Sequence, residues 1–210
     1  MQLDETKLHE LLGTLLNDMG AFATGNLIVI GDRLGLYKAL ADSGPMTSQQ
    51  LADQTGTTER YVREWLSNQA ASGYVNYDPA SNSFSMTPEQ AATLAHEDSP
   101  ALMTGGFIAG AGVAKNWEQL EAAFRTGDGI SWGQHDACLF CGTEKFFRPG
   151  YNANLVSEWL PTLDGVVGKL ERGARVADVG CGHGVSTMVM AKAFPESTFI
   201  GFDFHGPSVE

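Results

Sequence analysis

Residues 174–184 read Ala-Arg-Val-Ala-Asp-Val-Gly-Cys-Gly-His-Gly, and an acid, Asp203, follows Gly184 at an interval of 19 residues. Val176, Ala177 and Val179 form a short apolar run that suits a buried parallel strand. Gly180, Gly182 and Gly184 let the backbone turn sharply and come close to a ligand, which a Cβ would block. Val185, Met188, Val189 and Ala193 then recur at helical spacing, and Pro195 stops the helix. A second strand over 198–202 delivers Asp203 at its carboxyl end. Strand, glycine turn, helix, strand and acid make the opening of a nucleotide-binding α/β unit.

The glycine spacing separates the possible ligands. A dinucleotide fingerprint is G-x-G-x-x-G and holds a pyrophosphate on a helix N-terminus. Here the spacing is G-x-G-x-G, Val185 takes the place of the third glycine, and Asp178 precedes the run. Glycines alone also fit an ordinary tight turn with a solvated acid nearby; the acids before and after the turn favour a cofactor. The interval to Asp203 is close to the ~20 residues expected for an acid on ribose hydroxyls. Asp178-x-Gly180-x-Gly182-x-Gly184 resembles the first motif of class I S-adenosylmethionine (SAM)-dependent methyltransferases. The resemblance implies SAM as cofactor, with Asp178, Gly180, Cys181, Gly182 and Gly184 around its methionine and sugar parts. It also implies Asp203 on both ribose hydroxyls and Phe204 on the adenine ring. The catalytic base of this group lies in later strands or loops, so no catalytic residue is assigned.

The elements that position this motif begin far upstream. Leucines at helical spacing (Leu8, Leu11, Leu12, Leu15, Leu16) predict a helix over 3–19, and a second is expected over about 21–41. The stretch 25–40 is apolar around much of its circumference, which requires burial in a core or against another subunit. Thr47-Ser-Gln-Gln50 is a capping box for a short helix ending near Gly56. Thr58 opens a third helix that Gly73 ends, and 74–77 and 84–86 read as two strands around a turn. Thr87-Pro88-Glu-Gln90 caps another helix.

Helix, short helix, helix and hairpin in this order describe a winged helix. Two readings follow. A DNA-binding regulator is possible, but Glu59, Arg60, Arg63 and Glu64 on its recognition-helix candidate sum to zero charge, and the wing has no base. The other is dimerisation: a winged helix ahead of a methyltransferase motif is similar to the plant-type small-molecule O-methyltransferases and bacterial relatives, in which this domain dimerises. That resemblance implies methylation of a small molecule, oxygen favoured, and a homodimer through the N-terminal region. A cofactor-binding protein without catalysis is the third reading.

One long helix is expected over 100–125, a connection over 130–143, a final helix over 151–159 and another over 163–170. The resulting division is a helical and winged-helix domain over 1–98, a helical linker over 99–160, and the first part of a Rossmann-like SAM-binding domain over 161–210. The fold class is thus a mainly α N-terminal domain followed by an incomplete α/β domain. A methyltransferase sheet has about seven strands and two are present, so the sequence reads as the N-terminal portion of a longer protein.

Composition narrows the partners. The chain has 210 residues, 25 acids against 13 bases and a net charge of −12. So acidic a chain is a poor non-specific ligand for nucleic acid or anionic membranes. No segment reaches the roughly 18 apolar residues of a membrane span. Three cysteines provide no disulfide framework, which makes the cytoplasm the expected compartment. Cys138 and Cys141 form a C-x-x-C without a second pair at zinc spacing, so two ordinary thiols are expected and no metal site. His183 reads as a loop residue, and His205 as remote from the methyl group. Phe146, Phe147 and Tyr151 are candidates for contact with cofactor or substrate; ordinary core packing is the alternative.

Overall fold

The computed structural model describes residues 3–209, which divide into two compact units at the junction between Ala95 and His96. In the first unit, α1 spans Glu5–Arg33, α2 Leu36–Ser43, α3 Ser48–Thr55 and α4 Glu59–Ala71. A hairpin of β1 (Asn76–Asp78) and β2 (Ser83–Ser85) follows, then α5 (Pro88–Leu94). This is the helix, helix, hairpin order of a winged helix. Both expected capping boxes are formed, at Thr47 with Gln50 and at Thr87 with Gln90.

The expected division into helices over 3–19 and 21–41 is not what forms. Gly20 is absorbed into one 29-residue helix, and the break falls at Gly35, whose φ of 67° is left-handed. A glycine inside a helix costs only about 1 kcal/mol, whereas a positive φ terminates it. Ile28, Leu36, Tyr37, Leu40, Leu51, Leu66 and Val75 are fully buried and make the core of this unit. Tyr37 and Trp65 meet edge to face with centroids 4.9 Å apart, and the Tyr37 hydroxyl donates to Gln69 Oε1. Burial pushes the Tyr37 hydroxyl above its ordinary range. A Cβ on Gly31 would stand 2.4 Å from Trp65 Cζ2, so α1 lies directly on that indole.

In the second unit, α6 spans Thr104–Ala114, α7 Trp117–Thr126 and α8 Ala137–Asn154. The expected single helix over 100–125 is broken at Asn116. Its buried side chain accepts the Asp136 N–H at 3.1 Å and donates to Gln134 O at 3.3 Å, long-range bonds that override the local helical pattern. Nor are 130–143 a mere connection. A tight turn at Trp132–Gln134 leads into α8, capped by Asp136, so Cys138 and Cys141 lie in its first turns. The expected helix over 151–159 is the end of α8 and a wider turn, Leu155–Trp159.

Helices α6 and α8 pack backbone to backbone. A Cβ on Gly142 would sit 2.2 Å from Ala109 N, and one on Gly105 2.4 Å from Phe146 N, so only glycine admits this approach. After α9 (Val166–Glu171) come β3 (Arg175–Val179), α10 (Val185–Ala193), β4 (Thr198–Phe202) and α11 (Gly206–Val209). Strands β3 and β4 pair in parallel, with Asp178 opposite Gly201 and Val179 opposite Phe202. Leu160, Leu170 and Phe194 form a small core with Val176, Met190 and Phe199 packed on it.

Candidate functional site

The loop between β3 and α10 is shaped by three left-handed glycines, with φ of 79° at Gly180, 53° at Gly182 and 72° at Gly184. Side-chain residues rarely adopt this region. A Cβ at any of the three would meet nothing of the protein within 4 Å. Backbone conformation, not internal crowding, therefore demands glycine here. The loop is tied to β4 by Gly180 N–H and Cys181 N–H, which donate to Phe202 O at 2.7 and 3.1 Å.

Each acid of the motif has a defined structural task. Asp178 Oδ2 accepts hydroxyl bonds from Ser186 at 2.7 Å and Thr187 at 2.6 Å, fixing the first turn of α10, whose glycine cap supplies no side chain. Asp203 Oδ1 accepts the His205 N–H at 2.9 Å, and Oδ2 accepts the Gly182 N–H at 2.8 Å. These backbone donors, His205 foremost, hold the Asp203 carboxyl below the usual carboxylate range. Two bonds leave a carboxylate with further acceptor positions. The Cys181 thiol is packed toward Gly201, where a Cβ would be 2.8 Å from Sγ. Desolvation, then Asp178 and Asp203, push that thiol upward.

These groups border a cleft of about 520 Å³ within the second unit, a volume in the range of ~300–1,000 Å³ usual for small-molecule sites. Asp178, Gly180, Cys181, Gly182, Asp203 and Phe204 line it, as does His183. Gly184 stands aside as the N-cap of α10. Phe204 is 79% exposed at the cleft's border. His205 is outside the lining, stacked on Phe140 with centroids 4.1 Å apart and Nδ1 2.7 Å from Ser208 Oγ.

The opposite wall comes from α8 and the turn before it: Trp132, Phe140, Thr143, Glu144, Phe147 and Tyr151. Of the three aromatic candidates, Phe147 and Tyr151 thus face the cleft, whereas Phe146 lies against Gly106 of α6. Sequence reasoning missed Trp132, Phe140, Thr143 and Glu144. The available signal was Asp136 as a helix cap, after which positions 140, 144, 147 and 151 fall on one face. The lining includes three carboxyl groups and neither lysine nor arginine. Among the described residues, no group of three or more His, Cys, Asp or Glu could hold a metal ion. No helix of the described residues is long and apolar enough to cross a membrane.

Residues 22–96 match the family model of the Rv2258c-like winged HTH domain. No curated protein matches the sequence. Among solved structures, the chain is similar to the mitomycin 7-O-methyltransferase MmcR, at 20% identity and a TM-score of 0.67, covering 98% of this chain and 61% of that one. Human N-acetylserotonin methyltransferase, solved in complex with SAM, matches at 17% identity and 0.65, covering 97% and 61%. CalO1, a methyltransferase in calicheamicin biosynthesis solved with SAH (S-adenosylhomocysteine), matches at 20% identity and 0.58, covering 99% and 62%. The chain spans about three-fifths of the length of these structures. Its fold is a winged helix followed by the opening strands of a Rossmann-like domain, the architecture shared by these methyltransferases.

Proposed function

We propose that this chain binds SAM in the cleft between the glycine loop and α8, and serves a methyltransferase that acts on a small molecule, oxygen being the favoured acceptor atom. The observation that carries the reading is the charge of the lining joined to the loop geometry: three carboxyl groups, no lysine and no arginine beside three left-handed glycines. A pyrophosphate would meet carboxylates there and no cationic side chain. SAM carries no phosphate, and its sulfonium and ammonium outweigh its single carboxylate, so such a lining favours it.

The residues present fit this cofactor. Gly180 and Gly182 expose their backbone to the cleft, Asp203 has acceptor positions left for the ribose hydroxyls, and Phe204 borders the adenine end. The bound cofactor would supply an electrophilic methyl group, leaving the protein chiefly the work of alignment. Asp178 serves by holding the loop-to-helix junction, and Phe147 and Tyr151 by excluding water from the opposite side.

The N-terminal unit is read as a homodimerisation module. Leu8, Leu12, Leu15, Met19 and Phe22 recur on α1 at alternating intervals of four and three, and all are exposed. This is the seam of a helix that packs on another helix. DNA is not the intended partner in this reading, since Arg60 pairs with Glu64 and Arg63 with Glu59 along α4. The three cysteines and acidic charge suit the cytoplasm.

Calorimetric titration with SAM and with NAD tests the cofactor. Saturable heat from SAM and none from NAD is expected; the reverse would overturn the proposal.

A further inference from the structure

Cys138 and Cys141 lie three residues apart in the first turns of α8, and no disulfide joins them. Two ordinary thiols suit a connection over 130–143; a helix N-terminus gives the pair a different setting. Cys141 is exposed, whereas Cys138 is buried and its Sγ accepts from the Lys115 ammonium at 3.5 Å. Lys115 also donates to both Asp136 oxygens at 3.1 Å, which offsets the repulsion of that carboxylate. A cation and the N-terminal end of a helix both favour negative charge on sulfur, the form that attacks a disulfide. Helical spacing sets the consequence of such an attack. Residues at i and i+3 hold their Cβ atoms about 5–6 Å apart, whereas a disulfide needs about 3.5–4.5 Å. Closing the bond therefore distorts the first turn of α8, and a strained disulfide is easily reduced. The α6 side of this turn is blocked, since a Cβ on Gly112 would collide with Leu139 N. Phe140, between the cysteines and lining the cleft, is left to move. Its ring is stacked on His205, with centroids 4.1 Å apart.

We propose that Cys138 and Cys141 form a redox-active dithiol that a small-molecule disulfide closes, shifting Phe140 in the cleft wall. The accessible Cys141 sulfur attacks one sulfur of the reagent, breaking its S–S bond and releasing a first thiol. The Cys138 sulfur then attacks the Cys141 sulfur and displaces the second thiol. Both cysteine protons end, by way of solvent, on the two released thiols. Two cysteines are thereby oxidised to one disulfide, and the reagent is reduced. In a reducing compartment such a bond forms transiently, as a sensor and not as a staple. None of these steps depends on what the cleft binds.

The probe is bis(2-hydroxyethyl) disulfide, which is neutral and so not repelled by a chain of charge −12. After incubation of the folded chain, peptide mass mapping should find Cys138 joined to Cys141 and Cys181 paired with neither. Dithiothreitol should restore both thiols. Cys138→Ser should instead retain half of the reagent on Cys141, because no second thiol displaces it. A wild-type chain that keeps this adduct on Cys141, pairs other cysteines or does not react would overturn the dithiol, whether or not the variant folds. In proton NMR, the His205 ring signals should shift on oxidation as Phe140 moves. Unshifted signals in the oxidised chain would overturn the link to the cleft wall.

Discussion

Asp203 Oδ2 accepts the Gly182 N–H at 2.8 Å, so the acid at the end of one strand holds the centre of the loop that follows the other. The bond explains why an acid at this interval has structural value before any ligand arrives. It clamps a glycine whose φ of 53° no local side chain could enforce. Asp203 therefore serves the proposed site twice, through the loop and through its remaining acceptor positions.

Replacement of Asp203 by alanine should weaken SAM binding by about 1.5–3 kcal/mol for each charge-assisted bond lost. Calorimetry on a variant with near-wild-type melting checks this. Unchanged affinity would remove Asp203 from the site. Gly182→Val should also lose binding, chiefly because valine resists the left-handed backbone.

The contact of α6 with α8 sets the position of the cleft's aromatic wall. Gly142→Ala would place a methyl group 2.2 Å from Ala109 N and should destabilise the second unit by about 1–3 kcal/mol or more. Gly110→Ala meets nothing within 4 Å and should stabilise the helix by up to about 1 kcal/mol. Urea denaturation of the two variants distinguishes them by sign.

Those helices mark where local sequence signals end. The glycine loop and its flanking strands were legible because each feature is local: apolar run, glycines, helical spacing and Pro195. The two capping boxes were legible for the same reason. The break at Asn116 was not, since bonds to Gln134 and Asp136 from 18 and 20 residues away create it. The start of α8 was hidden in a stretch rich in Trp, Gly and Cys. Four residues of the cleft wall, Trp132, Phe140, Thr143 and Glu144, were hidden with it. Gly20 and Gly35 look alike in sequence, and only the left-handed φ of Gly35 separates them.

The cap of α8 should respond to acid. Backbone and side-chain bonds from Cys138, then Lys115, hold the Asp136 carboxyl down at about 2, below its ordinary 3.8. A depressed folded-state pKa gives stabilisation that is full above the ordinary value and is lost as pH falls through the folded one. Amide exchange in the first turn of α8 should therefore stay slow down to about pH 4 and quicken between about pH 4 and 2. Asp136→Asn should flatten this profile; an unchanged profile would contradict the cap's role.

The seam on α1 predicts association. Light scattering should show a dimer at micromolar concentration, and Leu12→Glu with Leu15→Glu should yield a folded monomer, since both side chains are exposed and leave the core intact. A monomeric wild-type chain would contradict the seam.

The central claim is that SAM occupies the cleft between the glycine loop and α8. Titration of the isotope-labelled chain with SAM, followed by amide NMR shifts, tests it most directly. Saturable shifts at Gly180, Cys181, Gly182, Phe204, Phe147 and Tyr151, with residues such as Leu51 and Leu66 unmoved, are predicted. Shifts confined to the winged helix, or none that saturate, would contradict the account.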